Sequence, residues 1–113
     1  MILPLSELKN REFSLSKIQI YYQKPVYREL SPKSRKNNGF LYILRGHCHY
    51  YHGDGDFDLD AGSVVYLPYG SRHRLVIESE DIEFYRIDFR LEVDGEIVLF
   101  SSTPMKLCSH APV

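Results

Sequence analysis

Tryptophan is absent from the 113 residues, and cysteine is nearly so, with only Cys48 and Cys108. Two cysteines cannot build a disulfide framework, so a reducing cytoplasm is the expected compartment. A dominant charge sign is missing as well: 14 Lys+Arg against 15 Asp+Glu leave a net charge of −1. An electrostatic nucleic-acid binder needs a basic surface to displace counterions from phosphate, and this balance argues against one. Apolar stretches such as Val64 to Leu67 fall far short of the ~20 residues of a membrane span. The first residues, Met1 to Asn10, carry neither a basic leader nor a sustained apolar run, so no signal peptide is expected. Nucleotide-binding glycine loops, G-x-S-x-G and C-x-x-C are lacking, as are internal repeats and low-complexity tracts.

What the chain does have is 9 Tyr and 6 Phe, residues that pack well on a pleated surface. The length suits one domain. Lys17–Tyr22 alternates apolar with polar, and Phe40–Arg45 is apolar on both faces. Further strands are expected at His47–His52, Asp56–Asp60, Ser63–Leu67, Arg72–Ile77, Ile82–Leu91 and Glu96–Phe100. Turn chemistry separates them: Asp54-Gly55 and Asp94-Gly95 are hairpin signals, and Pro68-Tyr69-Gly70-Ser71 is a turn. About eight short, evenly spaced strands predict an all-β sandwich or small barrel. Lys24–Lys36 holds Lys24, Arg28, Lys33, Arg35 and Lys36 beside one acid, Glu29, with Pro25 and Pro32. It reads as a loop or edge segment with a solvated basic face, the alternative being a patch that contacts an anion or a partner. Thr103-Pro104 would suit the N-cap and first position of a helix.

Gly62 to His73 fits the spacing G-x5-P-x-G-x2-H, through Gly62, Pro68, Gly70 and His73. Gly62 permits a tight turn into one strand, while Pro68 fixes φ and Gly70 permits positive φ in the turn out of it. The motif resembles the second conserved motif of the cupin jelly roll, and Gly46 matches the last glycine of the first. Leu41-Tyr-Ile-Leu-Arg-Gly46, the Gly62–His73 motif and Glu83-Phe-Tyr-Arg-Ile-Asp-Phe89 together resemble the N-terminal sensor domain of AraC-type bacterial transcriptional regulators, over roughly residues 17–91. The resemblance implies a cupin-like jelly roll, a small double-stranded β-barrel, that binds a small-molecule effector such as a sugar and forms a homodimer. It divides the chain into an N-terminal arm (1–16), an effector-binding domain (17–101) and a tail or the start of a linker or dimerisation helix (102–113). DNA binding would belong to a C-terminal helix-turn-helix domain outside these residues, and no membrane contact is expected. The alternative is a stand-alone cupin enzyme, such as a sugar isomerase or epimerase. That would require a general base such as His73 beside a partner acid.

Metal-dependent cupins carry H-x-H-x3–4-E-x6-G in the first motif. Counting back from Gly46 puts the Glu position at Gly39 and, with the shorter spacing, the His positions at Lys33 and Arg35. One remaining imidazole, His73, does not hold a metal that normally takes about three protein ligands, so no metal or other cofactor is expected. His47 and His49 share a strand face and read as partly exposed histidines, with chance Zn²⁺ or Ni²⁺ binding the sharper reading. Asp54, Asp56, Asp58 and Asp60 fail the calcium-loop pattern, because Leu59 and Val65 stand where Gly and Glu are needed. They read as a solvated strand face. Phe84, Arg86 and Asp88 share one face of the closing strand, and by resemblance Phe84 and Arg86 lie on the ligand-contacting face. An aromatic stacks on a ring and a guanidinium forks onto hydroxyls or carboxylate; a weak surface Arg86–Asp88 pair is the plainer reading. His73 is either a pocket residue or a structural histidine at the barrel mouth. Tyr22, Tyr42 and Tyr66 are the further candidates, able to add phenolic hydroxyls to the pocket.

Overall fold

A computed structural model describes residues 1–25, 34–53 and 55–110, and the backbone alone of 29 and 30. The readings that fall on Arg28, Pro32, Lys33 and Asp54 lie outside the described residues.

The strands are β1 (Ser14–Gln23), β2 (Glu29–Leu30), β3 (Asn38–Arg45), β4 (His47–His52), β5 (Gly55–Asp60), β6 (Val64–Leu67), β7 (Arg74–Ile77), β8 (Glu83–Val93), β9 (Glu96–Ile97) and β10 (Met105–Cys108), after one short helix, α1 (Leu5–Leu8). Every strand pairing is antiparallel. One sheet runs β1-β8-β3-β6-β10, with β9 folded back on β8, and the other runs β2-β7-β4-β5. The order 1-8-3-6 facing 2-7-4-5 is that of an eight-stranded jelly roll, the cupin-like fold expected. The basic segment contributes β2, on the edge of the second sheet against β7.

Alternation puts one face of each sheet inward. Leu41, Ile43, Val65, Leu67 and Phe84 of the first sheet meet Cys48, Tyr50, Leu59, Leu75 and Ile77 of the second, all buried. Each such aliphatic or aromatic side chain contributes roughly 1.5–3 kcal/mol of burial free energy. Gly46 makes the corner where the chain leaves the first sheet for the second, at φ +83°. A Cβ there would lie 2.8 Å from Ile82 Cα, so both the conformation and the space require glycine. Cys48 and Cys108 are both free thiols. Burial pushes the Cys48 thiol up to about 12, which keeps it protonated and inert.

The back of the first sheet carries a second apolar cluster. Tyr66, Phe89, Leu91 and Val93 pack with Leu3, Leu8 and Val98 from the two ends of the chain. The N-terminal arm is therefore docked: Leu3 N donates to Leu99 O at 2.8 Å and Leu99 N to Met1 O at 2.9 Å.

Two differences from the sequence reading follow from pairing that is remote in sequence. The expected helix after Thr103-Pro104 is instead β10, whose Met105 and Lys106 pair with Tyr66 and Val65. The open edge of β6 offers unpaired N–H and C=O groups, which an added strand satisfies. The strand expected over Glu96–Phe100 stops at Ile97: Val98 N still donates to Leu91 O at 2.9 Å, but Leu99 leaves β8 and bonds Met1 and Leu3 instead.

Candidate ligand-binding site

The inward face of β8 carries Phe84, Arg86 and Asp88 in succession, one strand step apart. In register, Asp88 lies opposite Gly39 on β3 and Gln19 on β1, and Arg86 lies opposite Leu41 and Tyr21. Phe84 is only 2% exposed and belongs to the core. Arg86 and Asp88 continue its face toward the mouth of the barrel, where polar groups gather.

Arg35 forms an ion pair with Asp88 through Nη2, and both side chains are largely buried. The same guanidinium donates to Asn37 O at 3.2 Å and Asn38 O at 3.3 Å. Arg86 Nε lies 3.4 Å from Asp88 Oδ2 but makes no hydrogen bond among the described residues. The Arg86 guanidinium stacks over the Tyr21 ring at 4.4 Å, a cation–π contact that closes the site on the β1 side. Gly39, at the glutamate position of the metal-cupin motif, is required by this pair. A Cβ there would run into Arg35 Nη2 and lie 2.7 Å from Ile87 O. Arg35, at a histidine position of that motif, thus reaches across the residue whose side chain the metal-dependent pattern needs.

His73 enters from the turn before β7 and stacks on Tyr50, 4.8 Å between ring centroids and 24° between planes. Its Nδ1 is buried without a hydrogen-bond partner among the described residues, as are Tyr50 Oη and Arg86 Nε. Burial, then the positive charges of Arg35 and Arg86, hold the His73 imidazole down to about 4. Burial likewise raises the Tyr50 phenol. The site therefore presents a neutral imidazole, a protonated phenol and two guanidiniums beside one carboxylate. This set favours an acceptor-rich, anionic or hydroxylated ligand.

The expected grouping of Tyr22, Tyr42 and Tyr66 with Arg86 does not form. Tyr22 and Tyr42 are both in register with Tyr85, which points away from Arg86, so both lie on the back of the first sheet. Tyr22 packs on Tyr85 there at 5.6 Å. Tyr66 is sealed in the rear cluster, where its hydroxyl donates to Asn38 Oδ1 at 2.6 Å and accepts from Phe100 N at 3.1 Å. Missing from the sequence reading were Arg35, Tyr21 and Tyr50, which reach the site from outside the motif's two strands. His47 and His49 do share a face, the outer face of the second sheet. They lie opposite Asp60 and Asp58, away from the mouth.

A concavity, wholly apolar and about 300 Å³, opens away from these residues on the back of the first sheet between the N-terminal segment and β1, lined by Leu5, Phe13, Leu15, Ile18, Phe40 and Phe100 among others.

Among solved structures the chain is similar to ToxT from Vibrio cholerae with an unsaturated fatty acid bound, at 16% identity and TM-score 0.49 over 74% of this chain and 30% of that one. A ToxT structure bound to (E)-4-(8-methylnaphthalen-1-yl)but-3-enoic acid gives 10% identity and TM-score 0.46 over 75% and 32% of the two chains. Vicilin from Corylus avellana shares the fold at 16% identity and TM-score 0.50, over 92% of this chain and 28% of that one. The chain thus spans less than a third of the length of each of these proteins. No curated protein matches it. The model of the AraC-like ligand binding domain matches residues 19–111, nearly the whole chain, and the protein belongs to that family.

Proposed function

We propose that this domain is the effector-binding module of an AraC-type transcriptional regulator and that its effector is a small anionic or polyhydroxylated molecule held at the barrel mouth. The observation that carries this is a set of buried polar atoms, Tyr50 Oη, His73 Nδ1 and Arg86 Nε, that have no hydrogen-bond partner among the described residues. Each unpaired buried group costs on the order of 1–3 kcal/mol, a cost that a ligand relieves on binding. With Arg35 committed to Asp88, Arg86 supplies the charge that recognises a carboxylate or a pair of hydroxyls. Catalysis is disfavoured because no carboxylate among the described residues holds His73 Nδ1, as a general base of the usual kind requires. Family membership supports a role in transcriptional control in the cytoplasm, with DNA contact assigned in this reading to a further domain. Effector binding would bias that domain between two arrangements in proportion to its differential affinity for them. Homodimerisation is supported by the outer face of β1, where Phe13, Leu15, Ile18 and Ile20 are about half exposed or more and form an unusually apolar surface.

The test is a thermal-shift screen of small carboxylates and sugars, since a ligand that binds only the folded state raises its stability by RT ln(1 + [L]/Kd). The hit is then titrated against wild type and Arg86→Ala, with urea melts of both. At least a tenfold loss of affinity is expected with a small change in stability, because Asp88 keeps Arg35. Equal affinities remove Arg86 from the site and with it this reading of the mouth.

A further inference from the structure

We infer that the outer face of the second sheet carries a divalent transition-metal site built from His47, Asp58 and Glu78, separate from the barrel mouth and from the cupin metal position. The three residues come from β4, β5 and the end of β7. His47 Nε2 lies 3.1 Å from Asp58 Oδ1 and 3.2 Å from Glu78 Oε1, and one ligand atom from each residue falls within 4.8 Å of the others. Donor atoms about 2.0–2.1 Å from a tetrahedral zinc stand about 3.3 Å apart, so the two spacings from His47 match a coordination shell, and the two carboxylates need only a side-chain adjustment to complete it. The other imidazole nitrogen, Nδ1, is held by Asp60 Oδ1 at 2.5 Å. A carboxylate on the far nitrogen fixes the tautomer that points the Nε2 lone pair outward and raises its basicity, the usual support of a metal-binding histidine.

Electrostatics points the same way. A lone pair on Nε2 facing two carboxylates is repulsive unless a cation, proton or metal, sits between them. His49 adds contacts to Asp58 at 2.9 Å and to Asp56, so two imidazoles face four carboxylates. Even with both imidazoles protonated the patch keeps two negative charges. Lys106, whose Nζ donates to Asp58 O at 2.8 Å, offsets one. The patch is open to solvent, with side-chain exposures of 34% for His47, 67% for Asp58 and 43% for Glu78, so an ion has an entry path and positions left for water. Imidazole with two carboxylates suits Zn²⁺, Co²⁺ or Mn²⁺. A bound ion would tie β5 to β7 across β4.

The test is calorimetric titration with Zn²⁺ alone, with Co²⁺ absorption as the spectroscopic readout of the ligand set. Saturable one-to-one binding is expected. It should fall at least tenfold in His47→Gln and in Glu78→Gln, and roughly 10–100-fold in Asp60→Asn, which touches no metal. It should persist in the double variant Cys108→Ser/His110→Asn, which removes two donors outside the patch. Urea melts of each variant show that the fold is kept. Absence of saturable binding, or binding that survives both His47→Gln and Glu78→Gln, overturns the proposal.

Discussion

Gly39 and Arg35 show how much of the mouth rests on single atoms. An alanine at Gly39 places a Cβ 2.7 Å from Ile87 O and 3.0 Å from Asp88 Oδ1, and the first of these is backbone that cannot step aside. Gly39→Ala should therefore cost roughly 1–3 kcal/mol, as overpacking does, read from urea midpoints. Arg35→Ala removes a partner from a largely buried carboxylate. The full penalty of about 3–5 kcal/mol for such a loss should be reduced here, because Arg86 is already 3.4 Å from Asp88 Oδ2 and can close on it. The companion measurement is effector affinity, which should drop in Arg35→Ala as Arg86 is recruited to Asp88. An unchanged affinity would mean that the two arginines act independently. The shared face of Phe84, Arg86 and Asp88 was legible in the sequence, because alternation within one strand is local. The tyrosines were not. Tyr42 on β3 stands opposite Tyr85 rather than Phe84 or Arg86, and only the register between strands decides which residues share a face.

Strand β1 carries a break in its alternation that places its apolar residues. Leu15 pairs with Leu91 and Ile20 with Ile87, so β1 spends one more residue than β8 over the same span. The extra residue is a bulge between Ser16 and Gln19, with Lys17 at φ +52°. It brings Leu15 onto the same side as Ile20 and Tyr22 and so creates the apolar outer face. A reading of Lys17–Tyr22 as a plain strand catches the alternation after the bulge and misses what lies before it, because nothing in Ser16-Lys17-Ile18 announces a positive φ. Lys17→Val should destabilise the domain by about 1–2 kcal/mol despite valine's strand propensity, since a β-branched residue is strained at positive φ. Lys17→Gly should be neutral or better, within about 1 kcal/mol. Chemical denaturation of the pair decides it: a valine variant as stable as wild type would mean that the bulge is not kept. If the apolar face joins two copies, Ile20→Glu should shift sedimentation toward monomer without lowering the melting temperature, as Ile20 is 64% exposed. The C-terminal strand belongs to the same lesson. Thr103-Pro104 carries a helix-start signal, yet the edge of β6 captures Met105–Cys108.

At the scale of the whole molecule, the proposed site at the mouth would link ligand binding to acid stability through His73. Burial and the two guanidiniums lower its folded value to about 4, against roughly 6.5 in an unfolded chain. The unfolded state therefore takes up a proton first as pH falls. Stability is unaffected above the unfolded value, declines through the window from about 6.5 to about 4, and levels off below it. For one such group the loss between about pH 7 and about pH 5 is roughly 2 kcal/mol. Carboxylates elsewhere also contribute in acid, so the quantity to measure is the difference between wild type and His73→Phe. Phenylalanine can keep the stacking on Tyr50 but does not titrate. Urea midpoints at the two pH values should fall further for wild type than for the variant, and equal falls would mean that His73 is not held neutral by the fold. An anionic effector at the mouth should shrink the difference again, because a carboxylate beside His73 favours its protonated form and offsets the charges of Arg35 and Arg86. A wild-type acid slope that stays unchanged at saturating effector would place the ligand away from His73, whatever its affinity.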